Sequence, residues 1–423
     1  MRFIADLHIH SHYSRATSKD MCPEGLWRWA QMKGVNVIGT GDFTHPRWLA
    51  ELNEKLVPAG DGLFSLGKKF RSGDVPASCQ ADVSFLLSSE ISCIYSKNGR
   101  TRKVHAIVLM PDFASVERLN SSLAMIGNLK SDGRPILGLD AKRLLQMTLD
   151  ASNSALFIPA HAWTPHFSVF GGASGFDSLE ECFEDLTPHI HAIETGLSSD
   201  PAMNWRLSGL EHITLVSNSD AHSAAKIGRE ANVLDTDLSY PAIRDAIRTR
   251  KGFQGTIEFF PEEGKYHYDG HRACGIALTP AETIENNFLC PECGGKVTIG
   301  VLHRVEKLAD RPEGHRPDGA PGYRSLIPLA ELISEAVKTG VSSKKVSSLY
   351  RKLLEALGNE FHILLDAPVG DIQAASTPEV AAAVSAMREG KVRIAPGYDG
   401  EFGKVCIFER AERKKVKGQM KLL

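Results

Sequence analysis

Two histidines near the start of the chain have the type and spacing of ligands to one metal ion. His8 and His10 follow the apolar, strand-forming run 3–7. Because residues i and i+2 of a strand point to the same face, we expect both imidazoles to face the same way. Imidazole is the commonest metal ligand among side chains, so the pair indicates a metal site. The pair alone is weak evidence, since such pairs also occur on ordinary half-buried strands.

The same kind of signal recurs up to residue 222. Asp220 and His222 repeat the i, i+2 spacing after the apolar run 213–216. The predicted metal ligands are His8, His10, Asp42, His45, Glu90, His105, His161, Glu194, Asp220 and His222. A satisfied polar group at a strand end explains each of them singly. So many placements of this kind in one domain predict a shared metal site.

Imidazole and carboxylate together suit Zn²⁺, Mn²⁺ or Fe²⁺, and a carboxylate such as Glu90 can bridge two ions. Two ions about 3.5–4 Å apart can hold an attacking water and a phosphoryl oxygen together, which is the chemistry of phosphoester hydrolysis. We therefore expect two or three divalent ions (zinc, manganese or magnesium) as cofactors. We assign catalytic roles to Glu90 and Asp220, because no Ser-His-Asp or Cys-His arrangement competes.

The elements that must position these residues alternate between short apolar strands and amphipathic helices over roughly the first 255 residues, which predicts a parallel α/β domain. In a barrel of alternating strands and helices, the carboxyl ends of the strands carry the active site. The predicted strands are 3–8, 35–40, 83–90, 103–110, 155–160, 191–195 and 213–218. The candidate ligands cluster near the ends of these strands, so we expect them to share one polar basin.

Length and composition predict a globular protein of two or three domains with a substantial core. The chain has 423 residues, of which 42% are hydrophobic and 24% charged. The net charge of -2 does not by itself indicate a nucleic-acid partner, although the runs 68–71 and 409–417 are basic. No apolar run reaches the roughly 18 residues of a membrane span. The first strand begins at once, which leaves no room for a signal peptide, so we expect a cytoplasmic protein with reduced thiols and no membrane partner.

A second metal site is predicted in a cysteine-bearing segment. His271 and Cys274 form one knuckle, and Cys290 and Cys293 form another after a separation of fifteen residues. This spacing is typical of zinc ribbons and fingers, so we expect one structural zinc ion. His267 is the alternative to His271 as the first ligand. The competing interpretation is a redox pair at the second knuckle, with a buried thiol at the first.

Breaks in the pattern divide the chain into three predicted regions. The metal-binding domain covers 1–258, the zinc module 259–325, and a mainly helical region with a basic tail 326–423. In the last region, helices are predicted at 327–338, 343–357 and 378–389.

The metal motifs resemble those of the PHP (polymerase and histidinol phosphatase) superfamily. The matching stretches are Asp6–Ser11, Thr40–Asp42, Glu90, His105, Pro159–His161 and Ser219–His222. The resemblance implies a distorted seven-stranded (β/α) barrel with two or three metal ions. Many relatives have an acidic residue or histidine in place of Arg15, and an Asp-His pair in place of Asp42-Phe43. Both departures bear on the third ion, so its presence and the choice between Asp42 and His45 stay open.

Arg15 is the third residue for which we predict a catalytic role. Its guanidinium offers a fixed positive fork to a phosphate where relatives extend the metal motif. A surface ion pair explains Arg15 equally well.

Further stretches narrow the resemblance to the endonuclease Q family. They are 14–21, 39–46, 290–295, 298–305 and 308–311. The order of barrel, zinc module and helical region matches that family over nearly the whole chain. The resemblance implies a metal-dependent DNA repair endonuclease that cuts on the 5′ side of deaminated bases (uracil, hypoxanthine) and abasic sites. It also implies that DNA is the partner and that the protein is associated with the nucleoid in the cytoplasm. Replication or repair proteins are further expected partners.

A damaged base must leave the duplex before a pocket can inspect it. The loop 163–178 is rich in glycine and aromatic residues and follows a predicted ligand, so it is placed to stack on an extruded nucleotide. A hydrophobic lid or core plug is the competing interpretation. The predicted DNA- or lesion-binding residues are Trp163, Phe167, Phe170, Lys68, Lys69 and Arg71. For each of the three basic residues alone, plain surface is the simpler explanation.

Two other functional classes remain as alternatives. A small-molecule phosphoesterase, such as a histidinol-phosphate or nucleotide phosphatase, would use the same metal chemistry, but it needs neither the zinc module nor the helical region. A non-catalytic nucleic-acid-binding module would need no intact metal motifs.

Overall fold

The structure is a computed structural model that describes residues 1–71 and 73–408. The helices are α1 (Pro23–Lys33), α2 (Pro46–Lys55), α3 (Phe113–Ala124), α4 (Ala141–Ala151), α5 (Leu179–Phe183), α6 (Pro201–Asn204), α7 (Tyr240–Thr249), α8 (Pro280–Glu285), α9 (Val301–Leu308), α10 (Leu329–Ala336), α11 (Lys344–Leu357), α12 (Glu360–Leu365), α13 (Val369–Ala375) and α14 (Pro378–Arg388). Within the described residues, no helix is both long and apolar enough to span a membrane.

The strands alternate with these helices in the first part of the chain. They are β1 (Arg2–Asp6), β2 (Val37–Gly39), β3 (Leu56–Pro58), β4 (Phe64–Leu66), β5 (Ser84–Lys97), β6 (Arg100–Met110), β7 (Ile136–Leu137), β8 (Leu156–Pro159), β9 (Ala192–Glu194), β10 (Thr214–Val216), β11 (Ala231–Asp235), β12 (Phe253–Glu258), β13 (Asp269–His271), β14 (Ile276–Leu278), β15 (Gly322–Ser325), β16 (Arg393–Ala395) and β17 (Lys404–Cys406).

An eleven-stranded mixed sheet is the framework of the molecule. Its main order is β15-β12-β11-β1-β2-β5-β4-β3, while β6 pairs with β5 and β8, and β7 pairs with β5. β1, β2 and β5 run parallel, and β9 and β10 form a separate parallel pair. An isolated parallel bridge between Ile9 and Ala221 joins the segment after β1 to the segment after β10. The segments that follow the carboxyl ends of β1 and β10 therefore lie side by side, which brings the first and last predicted ligands together.

The long hairpin of β5 and β6 departs from the predicted parallel arrangement. The two strands pair antiparallel from Leu87–Met110 to Lys97–Arg100. Only Asn98 and Gly99 connect them, with φ of 53° and 72°. A two-residue link cannot make the crossover that parallel strands need, and an Asn-Gly pair favours the left-handed dihedrals of a tight hairpin turn. The fold is therefore mixed α/β rather than purely parallel.

Side-chain alternation after β1 separates core from site. Leu7 and Ile9 are buried in apolar clusters, whereas the intervening His8 and the following His10 are buried among polar groups. Extended backbone sends neighbouring side chains to opposite faces. The sequence pattern thus directs the two imidazoles to one side, as predicted, although they lie just beyond the last residue of β1.

The zinc module and the helical region are joined to the first part by strands and buried contacts. β15 pairs in parallel with β12, so the segment before the predicted boundary at 325 returns to the main sheet. The Lys33 ammonium of α1 lies 2.6 Å from the Glu360 carboxylate of α12, and both side chains are buried. Helices α10–α14 share one continuous apolar core with the residues around the sheet. The C-terminal region is mainly helical, as expected.

Candidate metal centre and its surroundings

Two groups of candidate metal-ligating side chains share one carboxylate. His8, His10, His161 and Asp220 follow strand ends, whereas Glu90 and His105 lie within β5 and β6. Within each group the candidate ligand atoms all lie within 4.8 Å of one another. The first group consists of His8, His10, Glu90 and Asp220. The second group consists of Glu90, His105 and His161.

The two oxygens of the fully buried Glu90 carboxylate divide between the two groups. Oε2 lies 3.2 Å from His10 Nε2 and 3.6 Å from His8 Nε2. Oε1 lies 2.6 Å from His105 Nδ1 and 3.0 Å from His161 Nε2. This is the geometry of a carboxylate that bridges two neighbouring ions, one per oxygen.

Orphaned polar atoms test whether a cation fits the first group. His8 Nε2, His10 Nε2 and Asp220 Oδ1 are buried and have no hydrogen-bond partner among the described residues. His10 Nε2 lies 3.0 Å from Asp220 Oδ1, but no hydrogen bond joins them. A buried polar atom left unpaired costs about 1–3 kcal/mol, so three that converge need a partner. A divalent ion bound by these atoms satisfies all three.

Asp42 and Glu194, both predicted as ligands, lie outside the two groups and hold the ligands instead. The Nδ1 atoms of His8 and His10 lie 3.0 Å from Glu194 Oε1 and Asp42 Oδ1, respectively. A histidine that donates Nδ1–H to a carboxylate has a fixed tautomer and presents Nε2 to the metal. In this structure the two carboxylates therefore orient the imidazoles, and their own role as ligands stays a prediction.

Further hydrogen bonds saturate these orienting carboxylates. The amide and hydroxyl of Ser11 each donate to Asp42 Oδ2 at 2.7 Å. Asn218 donates its side-chain amide to Glu194 Oε1 at 2.9 Å, and the backbone amide of His161 donates to Oε2 at 2.8 Å. Several hydrogen bonds therefore hold both carboxylates in place.

His45 and His222 are also absent from both groups. His45 caps the start of α2, where its Nδ1 accepts from the amide of Trp48 at 3.4 Å, and its ring stacks 4.4 Å from that of Tyr13. The His222 ring lies 4.5 Å from the His10 ring, and its side chain is 33% exposed. His45 therefore has a structural partner already, while His222 stands at the solvent edge of the site.

Three site residues have left-handed backbone conformations. The φ angles are 48° at Asp42, 27° at His161 and 45° at Asp220. For residues other than glycine such dihedrals cost of order 1–3 kcal/mol and persist where the surroundings enforce them. Their coincidence with the ends of β2, β8 and β10 supports a functional role for this region.

The electrostatics of the first group are dominated by carboxylates. Burial acts to lower the pKa of His8 and His10, but Glu194, Glu90, Asp42 and other carboxylates around them outweigh it and raise both pKa values well above the ordinary range. Such an excess of negative charge favours cations. In the second group, burial lowers the pKa of His105 to about 4. His105 is therefore neutral at physiological pH, whereas the carboxylates Glu90, Asp220 and Glu194 raise the pKa of His161 against the opposing effect of burial.

Sequence reasoning missed Arg134 and misplaced Arg15. The Nη1 of Arg134 donates to Glu90 Oε2 at 2.9 Å, and the side chain is 30% exposed. Arg15 is 82% exposed and pairs with Asp132 at 3.2 Å, so it contacts neither group. The surface ion pair is therefore the better description of Arg15. No local pattern marks Arg134, which follows an ordinary Asp-Gly turn.

Most of the aromatic loop that follows His161 is core. Trp163 and Phe170 are each 1% exposed, and the Trp163 indole donates to Asn204 Oδ1 at 2.8 Å. Their burial corrects the expectation that they stack on a nucleotide. Phe167 alone of the three predicted aromatics is partly exposed; its ring lies 4.7 Å from the His105 ring and its φ is 61°.

The predicted phosphate-binding residues lie on an exposed turn. Lys68, Lys69 and Arg71 are all exposed, and the Arg71 Nε donates to the carbonyl of Leu66 at 2.9 Å. No contact joins any of the three to the metal-ligand groups in the part of the chain that the structure describes. The basic run 409–417 lies outside the described residues.

The second predicted metal site is assembled by the two knuckles. His271 Nδ1 lies 3.2 Å from Cys274 Sγ and 3.5 Å from Cys293 Sγ, and Cys290 completes the group within 4.8 Å. His267, the alternative ligand, is buried outside the group. Burial opposes ionisation of Cys290, but backbone amides on its knuckle lower its pKa to about 7, which favours the metal-binding thiolate. All eight cysteines are free of disulfides.

Helix α9 connects the hairpin of β13 and β14 with the aromatic loop. Its Arg304 donates Nε to the carbonyl of Phe170 at 2.9 Å, and Nη2 to the carbonyl of Phe176 at 2.9 Å and to Asp177 at 2.6 Å. One residue earlier, His303 pairs at 2.6 Å with the buried Asp269 of β13. The helix therefore holds the aromatic loop on one side and the hairpin of β13 and β14 on the other.

Sequence comparison finds relatives over part and over nearly all of the chain. A family model described as the MJ0043 C-terminal domain matches residues 328–391. The uncharacterized protein MJ0043 of Methanocaldococcus jannaschii is 34% identical over 255 residues, which are 58% of this chain but only 31% of that protein. The uncharacterized protein YqxK of Bacillus subtilis is 30% identical over 96% of this chain and 99% of its own length.

Solved structures match the whole fold. The lesion-specific endonuclease PfuEndoQ from Pyrococcus furiosus superposes with a TM-score of 0.84 at 33% identity, and 98% of each chain is covered. Endonuclease Q in complex with a 27-mer duplex substrate, which has an abasic lesion at the active site, superposes with a TM-score of 0.82 at 32% identity over 99% of each chain.

Proposed function

This chain belongs to the endonuclease Q family, and on that premise we propose that it is a DNA repair endonuclease that cuts on the 5′ side of deaminated bases and abasic sites. Members of the family with solved structures are lesion-specific, and one holds an abasic duplex at its active site. The observation in this chain that carries the proposal is the Glu90 carboxylate shared by two ligand groups. The enzyme is a metal-dependent endonuclease, and uracil and hypoxanthine are the proposed deaminated bases.

The chemistry follows from the residues of the two groups. When bound, two divalent ions supply an activated water and offset the charge of the phosphoryl group during in-line displacement. His8, His10 and Asp220 would hold one ion and His105 and His161 the other, with Glu90 shared between the two groups. The carboxylates behind His8 and His10 keep both imidazoles aimed at the first ion.

We propose that DNA approaches from the side on which the site is exposed. Among the side chains around the ions, Asp220 and His222 are 26% and 33% exposed, whereas Glu90 is buried. Phe167 lies against His105 of the second group, with the Lys103 ammonium 5.2 Å from its ring. An aromatic ring at the rim of the ions suits stacking on an extruded nucleotide, and a lysine beside it suits a phosphate.

The remaining architecture fits this proposal. We assign β1, β2, β5, β6, β8, β9 and β10 to a distorted seven-stranded PHP barrel around the ions, with a closed structural zinc site in the appended module. Lys68, Lys69 and Arg71 stay predicted phosphate contacts farther along the duplex.

The test is a labelled duplex with a single deoxyuridine, deoxyinosine or abasic site, incubated with Mg²⁺, Mn²⁺ or Zn²⁺. We expect one nick on the 5′ side of each lesion and none in the undamaged duplex. Asp220→Asn removes one charged ligand at nearly constant size, so nicking should vanish while lesion-DNA binding and the melting temperature are retained. Asp237→Asn, at an exposed loop position, is the matched control and should nick normally.

Two results would contradict the proposal. Hydrolysis of small phosphate esters without any nicking of damaged DNA would identify a small-molecule phosphoesterase. Unfolding of Asp220→Asn, together with metal-independent DNA binding by the wild type, would identify a structural metal in a binding module.

A further inference from the structure

We propose that Arg134 is a further catalytic residue, which binds a non-bridging oxygen of the scissile phosphate beside the shared carboxylate. The inference rests on the proposed function, because it assumes a phosphodiester at the two ligand groups. Neither the sequence motifs nor the spacing of the predicted ligands points to Arg134.

The first support is the position of the guanidinium. Arg134 Nη1 donates to Glu90 Oε2 at 2.9 Å, on the oxygen that faces the first ligand group. A guanidinium is not deprotonated in proteins. The positive charge is therefore permanent and lies where charge accumulates when a phosphoryl group is attacked.

The second support is the number of donors left over. A guanidinium carries five N–H donors in a planar fork, which matches two oxygens of a phosphate. In the described residues the Arg134 side chain makes one hydrogen bond, the one to Glu90. The side chain is 30% exposed, and those of Asp220 and His222 are 26% and 33% exposed, so a ligand at this site can reach the guanidinium.

The third support is the rigid turn that presents the side chain. The amide of Gly133 donates to the carbonyl of Tyr13 at 3.1 Å, and its carbonyl accepts from the Thr44 hydroxyl at 3.2 Å. A Cβ at position 133 would collide with the Asp42 carboxylate and the Ser14 hydroxyl, so only glycine fits there. The turn is therefore fixed against the same carboxylate that orients His10, and Arg134 needs little reorganisation to act.

A purely positioning role is the alternative. In that case Arg134 would only hold Glu90 in its bridging orientation, and its loss would weaken the metals rather than the phosphate. The two roles differ in what the loss of Arg134 changes. Loss of a phosphate contact lowers phosphate affinity and leaves the metal content unchanged, whereas loss of a positioning residue lowers the metal content.

The experiment compares Arg134→Ala and Arg134→Lys with the wild type and with Arg143→Ala. Arg143 is an exposed arginine on α4, away from the site, and serves as the matched control. Three quantities are measured: metal ions bound per chain, the Kd of inorganic phosphate for the metal-loaded protein, and kcat and KM on the lesion duplex. Added guanidinium ion is tested for chemical rescue of the alanine variant.

We expect Arg134→Ala to keep its metals, to bind inorganic phosphate about tenfold more weakly, and to lose about 10²–10³ in kcat with little change in KM. Lysine should restore part of the loss because it keeps the charge but not the fork. Guanidinium ion should restore part of the alanine variant's kcat.

Unchanged phosphate affinity and kcat in Arg134→Ala would overturn the inference. So would loss of metal with full recovery at excess metal, which would leave Arg134 as a positioning residue for Glu90. If the wild type nicks no lesion DNA, yet phosphate affinity still falls in the alanine variant, the proposed function fails and the phosphate contact stands.

Discussion

Single residues in this site divide into those that bind ions and those that aim the binders. His8 and His10 carry their free Nε2 atoms toward Glu90 only because Glu194 and Asp42 hold the opposite ring nitrogens. The chain order of the motifs shows all of these residues but not this division of labour.

The first residue-scale prediction concerns Asp42. Asp42→Ala removes the acceptor for His10 Nδ1 and frees the ring to turn, so affinity for the ion of the first group should fall about 10–100-fold. Competition with a chelator of known affinity measures the change. Asp237→Ala, at an exposed position, is the control, and equal affinities in both variants would contradict the orienting role.

The second residue-scale prediction is a pH dependence at Glu258. Burial, with the carboxylates Asp200 and Glu230 nearby, raises the pKa of Glu258 to about 8, although Thr195 and Ser217 donate to it. Between pH 4.5 and about 8 the unfolded chain releases this proton while the folded protein keeps it, so stability falls as pH rises through that window.

Glu258→Gln cannot ionise and should escape this loss. Its melting temperature relative to the wild type should be lowest near pH 4.5 and should rise steadily toward pH 8. Thermal unfolding at several pH values measures the difference. Glu355→Gln, at an exposed position, should show no such trend, and a flat difference for Glu258→Gln would refute the buried neutral carboxyl.

At the scale of elements, hairpin β5–β6 and helix α9 matter most. The hairpin carries both Glu90 and His105, so one antiparallel pair contributes to both ligand groups. Asn98 and Gly99 indicate the turn of this hairpin in the sequence, because an Asn-Gly pair flanked by apolar strands is a strong hairpin signal. The partnership of α9 with the aromatic loop has no such signal.

The element-scale prediction concerns the link between α9 and that loop. Arg304→Gln loses the guanidinium that joins two carbonyls and Asp177, so amides of residues 164–177 should exchange hydrogen faster while the zinc content stays the same. Because Phe167 lies in this segment, KM for lesion DNA should rise more than kcat falls. Lys307→Gln on the same helix is the control, and unchanged exchange in Arg304→Gln would show that core packing alone holds the loop.

At the scale of the whole molecule, the C-terminal helices share the core of the α/β part of the chain rather than being attached to its surface. Glu360 accepts from Lys33 of α1, from the Tyr350 hydroxyl at 2.7 Å and from the Leu329 amide at 3.0 Å. These contacts join α1, α10, α11 and α12 at one buried carboxylate. A DNA duplex bound at the ions would therefore meet one continuous body.

The whole-molecule prediction tests this junction. Glu360→Gln leaves the Lys33 ammonium buried without its counter-charge, and such a loss costs about 3–5 kcal/mol. Urea unfolding should show that decrease in the free energy of unfolding. Glu355→Gln, which breaks an exposed pair with Arg351, should cost less than about 1 kcal/mol. Equal costs would mean that the helices dock independently of this ion pair.

The amino-acid sequence by itself determined the chemistry that this protein carries. The ligand types, the i, i+2 pairs, the knuckles and helices such as Pro23–Lys33 follow from short-range patterns, because strand and helix periodicity acts within a few residues. The family resemblance rests on the same local motifs, and the whole-chain matches confirm it.

Only the tertiary structure decided which of those residues gather into the two ligand groups and which residues without a motif lie beside them. Asp42 and Glu194 became orienting groups, and Trp163 became core, because burial and hydrogen bonding saturate them. Arg134 reaches Glu90 across 44 residues of chain. Contacts of that range depend on how strands and turns pack in space, and no local pattern records that distance.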